Sequence, residues 1–239
     1  MSATRAILVL VQTFVYHIAY NPPNPSPSKG RYHTEELYIL QIAPLIFKAI
    51  QILSWFWTSF EILHYVKNAA LLPSSLAPIL TDALICPMAN PTILPTKAIR
   101  ATPVFILGVV ISIIGSYIRL DCFQALGQMF TFDLTVHPEH SLITNRLYAY
   151  VRHPAYTGSM LLIIGLTISH LTDGSWLTEC GPLTSHTTVL VIWAAGWFWT
   201  ACVALSRAQA EDAQMRKLFK DEWKVYATNV PWWFVPGVL

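Results

Sequence analysis

Between Thr102 and Leu120 the chain reads TPVFILGVVISIIGSYIRL, and no charged residue interrupts it before Arg119. A run this long and this apolar predicts a helix that crosses a bilayer. Composition extends the inference to the whole chain. Apolar residues make up 54% of it and charged residues 12%, about half the charged share of an ordinary soluble protein. Nine Trp, ten Tyr and eleven Phe suit membrane interfaces, where one end of the ring stays wet. Lipid offers backbone groups no partners, so spanning segments close their own hydrogen bonds as helices. The expected class is all-α, a polytopic helical membrane protein of about five spans.

The formal net charge of +2 gives no field that would attract nucleic acid. The lipid bilayer is the expected partner instead. Cys86, Cys122, Cys180 and Cys202 form no C-x-x-C pair, so neither a zinc ribbon nor a redox dithiol is implied, and no metal is expected. Three of the four lie in or beside apolar segments, which suits small packed hydrophobes.

Other candidate spans follow along the chain. The first residues, from Arg5 through RAILVLVQTFVYHIAY, form a short first helix halted by the proline-rich NPPNPSPSKG; a cleaved signal is the alternative. Leu37 to Val66 is long enough to span with tilt but contains Pro44, Lys48 and Glu61. Lys48 either snorkels from an end or faces the bundle interior. Asn68 to Lys97, with prolines at 73, 78, 87, 91 and 95, reads as a surface loop. In the Thr102–Leu120 run, Gly108, Ser112, Gly115 and Ser116 approach a ladder of small residues that lets a neighbouring helix come close. Cys122 to Arg152 is a polar re-entry loop. Tyr156 to Leu171 and Thr187 to Ser206 are two more spans, joined by a connection without Lys or Arg. Arg119, Arg146, Arg152, Arg207, Arg216, Lys217, Lys220 and Lys224 flank their other ends, which places those flanks and the C-terminus in the cytosol. In the tail, Met215, Leu218, Phe219 and Trp223 form an apolar helical stripe. Pro231 ends that helix, and Trp232, Trp233 and Phe234 read as interfacial anchors.

One stretch fits no plain span. YVRHPAYTG, Tyr150 to Gly158, sets Arg152 and His153 at the doorway of an apolar helix. Pro154 biases His153 away from helix and frees nearby backbone groups, while Gly158 permits a close approach. An interfacial anchor with a proline-started helix accounts for Pro154 and Tyr156, but not for Arg152 and His153 together. Further on, Arg207 and Glu211 share a helix face at i,i+4.

Taken together, the R-H-P-x-Y-x-G block, an acidic pair at Glu211 and Asp212, and the closing pattern Phe219, Glu222, Trp223, Tyr226, Val230, Pro231 resemble the isoprenylcysteine carboxyl methyltransferase family. Trp223 stands where the family usually has Tyr. The resemblance covers roughly Leu126 to Pro236, while the N-terminal half is recognisable only as membrane helices. It implies two regions, 1–120 of N-terminal helices and loops and 121–239 as a methyltransferase region. In the latter a cytosolic re-entry loop and C-terminal helix form the cofactor pocket. It further implies an endoplasmic reticulum enzyme that uses S-adenosyl-L-methionine to methylate the C-terminal carboxylate of prenylated C-a-a-X proteins.

Carried over residue by residue, the resemblance makes His140, Ser141, Leu142, Ile143, Tyr148, His153, Pro154, Ala155, Tyr156 and Glu211 the cofactor set. Arg207 becomes the clamp on the substrate carboxylate, because its planar fork matches two oxygens. An interfacial Arg at a helix end is the plainer reading of Arg207, and an i,i+4 partner that of Glu211. Asp212 is either a second acid or structural. Arg152 pairs with a carboxylate or a lipid phosphate. Asp133 stands where the family often has Gln, and Asn145 and Arg146 where it usually has Gly; Asn145 is expected to serve that turn. His137 and His170 receive no role. No G-x-G occurs, so the glycine-rich nucleotide loop of soluble methyltransferases is missing. Small residues Gly108, Ser112 and Gly115, or Trp193, Trp197 and Trp199, either line a lateral lipid path or pack helices. The competing classes are a membrane methyltransferase acting on a phospholipid amine or other lipophile, and a non-catalytic scaffold or transporter using Lys48 and Glu61.

Overall fold

A computed structural model describes residues 1–25, 32, 37–71, 82–87 and 99–238. Helices dominate: α1 (Ala3–Ala19), α2 (Tyr38–Gln41), α3 (Ala43–Asn68), α4 (Asp82–Ile85), α5 (Pro103–Leu126), α6 (Pro154–His170), α7 (Trp176–Glu179) and α8 (His186–Asn229). Among the described residues no strand exceeds a single bridge residue at Thr135.

Burial runs opposite to that of a soluble protein. On α1, Arg5, Gln12 and Thr13 are buried while Ile7, Leu10, Val11 and Phe14 are exposed. On α5, Ser112, Ser116 and Arg119 are buried while Val104, Leu107, Val110 and Ile114 face outward. Apolar patches of this extent are not left to water. Helices α5 and α8 are long and apolar enough to cross a membrane, and α1 is a shorter apolar helix. The described chain is all-helical, with two candidate membrane spans whose outward faces are apolar.

Several expected boundaries move. The Leu37–Val66 segment breaks at Ile42, and α3 begins at Ala43; Pro44 falls in its first turn, where a missing N–H costs nothing. Helix α5 continues to Leu126, past the expected stop at Leu120, because Arg119 and Asp121 are both buried with partners. The tail helix is continuous with the preceding span except at Lys220, where φ is 45°. Much of the Asn68–Lys97 loop lies outside the described residues.

Two compact units emerge, each drawing on three stretches of chain. The first comprises Met1–His17, Ala49–Ile113 and Ile163–Trp197. Its interior is polar in places: Gln12 Nε2 lies 2.8 Å from both Ser112 Oγ and Ser169 Oγ, and Thr13 and Thr58 hydroxyls meet at 2.7 Å. Cys86 and Cys180 form a disulfide beside Trp176, Leu177 and Ile99. This corrects the expectation of merely packed thiols, which holds only for buried Cys122 and half-buried Cys202. The pairing closes a sequence separation of 94 residues, and connectivity over such a distance cannot be read from spacing.

The small-residue ladder of α5 does admit α6. In the first unit a Cβ on Gly165 would lie 2.5 Å from the Gly108 carbonyl oxygen and 2.7 Å from the Ser112 nitrogen. Both are backbone atoms that cannot swing aside. Gly165→Ala is expected to destabilise the protein by about 1–3 kcal/mol, read as a lowered melting temperature in detergent. Gly196→Ala, where a Cβ meets nothing within 4 Å, should leave it unchanged.

Candidate functional site

The second unit comprises Ile18–Lys48, Ile114–Leu162 and Phe198–Leu239. Its architecture starts at the end of α5. Arg119 donates to Ala19 O at 2.7 Å and Ser159 Oγ at 2.5 Å, and its guanidinium lies over the rings of Tyr20, Phe123, Phe130 and Phe132. Past this anchor the chain runs through a loop to a short 3₁₀ turn at Arg146–Ala149. The left-handed residue of that turn is Arg146, with φ 55°, whereas Asn145 is extended at φ −104°. The expected role of Asn145 therefore passes to its neighbour, whose guanidinium is tied to Asp121 (Nε to Oδ1, 2.9 Å). Buried Tyr148 follows, and its carbonyl accepts from the Tyr226 hydroxyl at 2.8 Å.

The His-Pro block is held by the C-terminal segment. Arg152 N donates to Trp232 O and His153 N to Trp233 O, both at 2.9 Å, and Thr157 Oγ1 donates to Phe234 O at 2.8 Å. Phe234 is buried and Trp233 packs with it against Tyr156, Met160, Ala204 and Ala208. Phe234 is therefore core, not the interfacial anchor expected from the aromatic run, while Trp233 stays half-buried beside it. Pro154 opens α6 and leaves the His153 side chain pointing at α8.

There the imidazole sits between two carboxylates: Nε2 is 2.7 Å from Asp212 Oδ1, and Nδ1 is 3.2 Å from Glu211 Oε2. Asp212 also takes Arg152 Nη1 at 2.5 Å, which gives Arg152 its carboxylate partner. The Tyr156 hydroxyl donates to the other Glu211 oxygen. Burial pulls the His153 pKa down, but the hydrogen bonds to Asp212 and Glu211 outweigh it, and the net direction is upward.

Arg207 stands one turn before Glu211 and is buried. Its Nη1 donates to Phe132 O at 2.7 Å, while its buried Nε has no partner among the described residues. Both side chains line a cavity of roughly 180 Å³. Of the expected site residues, His140, Ser141, Leu142, Ile143, Tyr148, His153, Ala155, Tyr156, Arg207 and Glu211 line it, as do Asp133 and Arg152. Pro154 does not; it sets the backbone without reaching the cavity. His140 is half-buried, its Nδ1 lacks a partner among the described residues, and burial followed by nearby His137 lowers its pKa. Burial also pushes the Tyr226 phenol up to about 12, so it stays a neutral donor to Tyr148. No group of three or more His, Cys, Asp or Glu side chains arranged to hold a metal occurs among the described residues.

Motif reading missed part of the wall. Tyr20, Tyr32, Pro44 and Phe47 line the cavity from the N-terminal part of the chain, so residues after 120 do not build it alone. Met129 lines it too, and its sulfur accepts from Ser141 N at 3.3 Å. Only the density of aromatics before residue 50 hinted at this contribution. The chamber is lined by the ionic side chains of Arg207, Glu211 and His153 and by the apolar ones of Phe47, Met160, Val203 and Ala204. It can orient a small amphiphile, holding an ammonium against Glu211 and an anion against Arg207.

Fold and site define a helical protein with a cavity lined by both ionic and apolar side chains. The comparisons narrow the class. Residues 106–217 match the Isoprenylcysteine carboxyl methyltransferase (ICMT) family. It is 30% identical over 126 residues to the "Probable protein-S-isoprenylcysteine O-methyltransferase" of Oryza sativa subsp. indica, covering 52% of this chain and 57% of the rice protein. The "Protein-S-isoprenylcysteine O-methyltransferase B" of Arabidopsis thaliana is 24% identical over 52% of this chain and 55% of its own length. The "Protein-S-isoprenylcysteine O-methyltransferase" of Schizosaccharomyces pombe is 28% identical over 49% of this chain and 44% of its own length. The chain thus spans about half the length of these curated relatives.

Proposed function

We propose that this protein methylates the C-terminal carboxylate of prenylated cysteine in C-a-a-X proteins, with S-adenosyl-L-methionine as methyl donor. The observation that carries the reading is the meeting of the His153–Tyr156 entry and the Arg207–Glu211 turn in one cavity. The unpartnered His140 Nδ1 and Arg207 Nε in its wall fit a ligand with both polar and anionic parts. Glu211 would hold the donor's ammonium; His140–Ile143, Tyr148, and His153 to Tyr156 would enclose the rest. The donor, when bound, supplies a methyl carbon activated by a positively charged sulfur.

The work left to the chain is orientation. A C-terminal carboxyl has a pKa near 3.5, so it arrives ionised and needs no base. Arg207 aims its oxygens, and the apolar wall at Phe47, Met160, Val203 and Ala204 excludes water and takes the lipid. Transfer to a phospholipid amine would require a proton acceptor for the ammonium, and Glu211 is already engaged by Tyr156 and His153.

Under this reading α1, α3, α5, α6 and α8 cross the endoplasmic reticulum membrane, with the cavity and C-terminus cytosolic. The disulfide supports that orientation. Disulfides persist in oxidising compartments, Cys180 follows the far end of α6 with no further span between, and His153 precedes its near end. The test is transfer of labelled methyl, in sealed microsomes, to N-acetyl-S-farnesylcysteine supplied from outside. Activity is expected while Cys86–Cys180 resists a membrane-impermeant reductant. Label on phosphatidylethanolamine instead, or on neither acceptor, would overturn the proposal.

A further inference from the structure

The two carboxylates on either side of His153 differ in one respect. Glu211 lines the cavity and Asp212 does not. We infer that Asp212 is a positioning residue: it fixes His153 as a doubly protonated imidazolium, and that ring holds Glu211 where a ligand's ammonium would meet it. The inference rests on the functional reading above for the identity of the ligand, but not for the state of the ring.

Geometry carries it. Both ring nitrogens face carboxylate oxygens, Nε2 toward Asp212 at 2.7 Å and Nδ1 toward Glu211 at 3.2 Å. A neutral imidazole has one donor and one acceptor, so one of these contacts would set a lone pair against an oxygen. Only the imidazolium donates to both. Asp212 is anchored from behind by Arg152, which is itself fixed through Pro231 O at 3.0 Å. The order of contacts is thus Arg152, Asp212, His153, Glu211, Tyr156, and it ends inside the cavity. The charged and titratable groups around the ring are accounted for: Glu211 and Asp212 from α8, Arg152 from its own segment, Tyr156 from α6, and Arg207 one turn before Glu211. Among the described residues the C-terminal segment adds no charged group there, only the rings of Trp233 and Phe234 and the Trp233 carbonyl.

The upward direction of the His153 pKa agrees with this and sets the sign of the pH effect. A group that holds its proton more tightly when folded stabilises the fold fully below its ordinary value near 6.5. That contribution is lost as pH rises through the folded value. Loss of the proton also frees Glu211, so ligand binding should weaken over the same alkaline interval.

The experiment compares the wild-type protein with Asp212→Asn in detergent. Melting temperature is followed against pH without ligand, and S-adenosylhomocysteine binding is measured by calorimetry across the same range. Expected for D212N are a flattened pH dependence of melting, an alkaline fall in binding that moves toward acid, and affinity lower by about 10-fold to 100-fold at neutral pH. D212E should restore much of both. If D212N does not fold, D212E alone decides: it must keep the wild-type pH dependence. A folded D212N that melts and binds with an unchanged pH profile overturns the inference. If the wild type binds no S-adenosylhomocysteine, the functional reading fails, while the melting profiles still judge the role of Asp212.

Discussion

Arg207→Ala is expected to lower methyl transfer by about 10²–10³-fold, or roughly 2.7–4 kcal/mol of transition-state stabilisation, in a protein that still folds. The guanidinium is buried and donates to Phe132 O, so its removal loses one contact to the fold and the cation one turn from Glu211 on that face. Arg207→Lys separates the two roles. It keeps a charge and a donor for Phe132 O but lacks the planar fork, so the loop should stay ordered while the carboxylate is poorly aimed. Most of the loss should therefore persist in the lysine variant and appear in kcat. Glu211→Gln should act differently, raising KM for the methyl donor more than it lowers kcat, because the acid is assigned to binding. Steady-state rates with both substrates varied distinguish these patterns. Wild-type rates in both Arg207 variants would remove the site assignment.

The contrast between what motifs convey and what they miss is visible around this cavity. His153, Arg207 and Glu211 were legible because each carries a side chain that is expensive in or beside lipid, and the resemblance groups Tyr156 with them. Their convergence in one cavity wall needs only a hairpin of helices α6 and α8. Arg146 was not legible: its φ of 55° is offset by a tie to Asp121 that no local pattern announces, and Asn145 was the better local guess. Phe47 was not legible as a lining residue, since an aromatic ring in an apolar helix has the same local signature whether it faces lipid, a neighbour or a ligand; Tyr20 and Tyr32 lie outside the helices and belong to no motif. Phe234 shows that ambiguity resolved the other way, with a ring expected at the interface buried instead.

Charges in apolar segments pose the same problem in stronger form. Glu61 in the sequence demands a partner and does not say which; the answer is Arg5, 56 positions away. This outcome also weakens the transporter alternative, because a carboxylate locked in a static pair is not poised to carry an ion. Lys48 gives it no better support, lying 3.4 Å from Asn21 Oδ1 at an exposed position.

The pair itself makes the second large prediction. Both side chains are 0% exposed. Arg5 Nε and Nη2 donate to the two Glu61 oxygens at 2.8 and 2.7 Å, and Nη1 donates to Arg100 O at 2.8 Å. Trp176 N donates to Glu61 Oε1 at 3.0 Å, and Phe105 lies under the guanidinium at 4.1 Å. Desolvating two ions is costly, so a pair this complete is close to break-even against apolar residues of similar size, whereas either ion alone is not. Arg5→Met, leaving a buried carboxylate, should destabilise the protein by about 3–5 kcal/mol, and Glu61→Leu should do comparable harm by stranding the guanidinium. The double variant should cost well below the sum of the two, recovering most of the penalty of the stranded charge. Unfolding in mixed micelles, followed by far-UV circular dichroism, measures all three. Additive penalties would mean that the two side chains contribute separately, through Arg100, Phe105 and Trp176, and that their mutual attraction is not what holds this interior together.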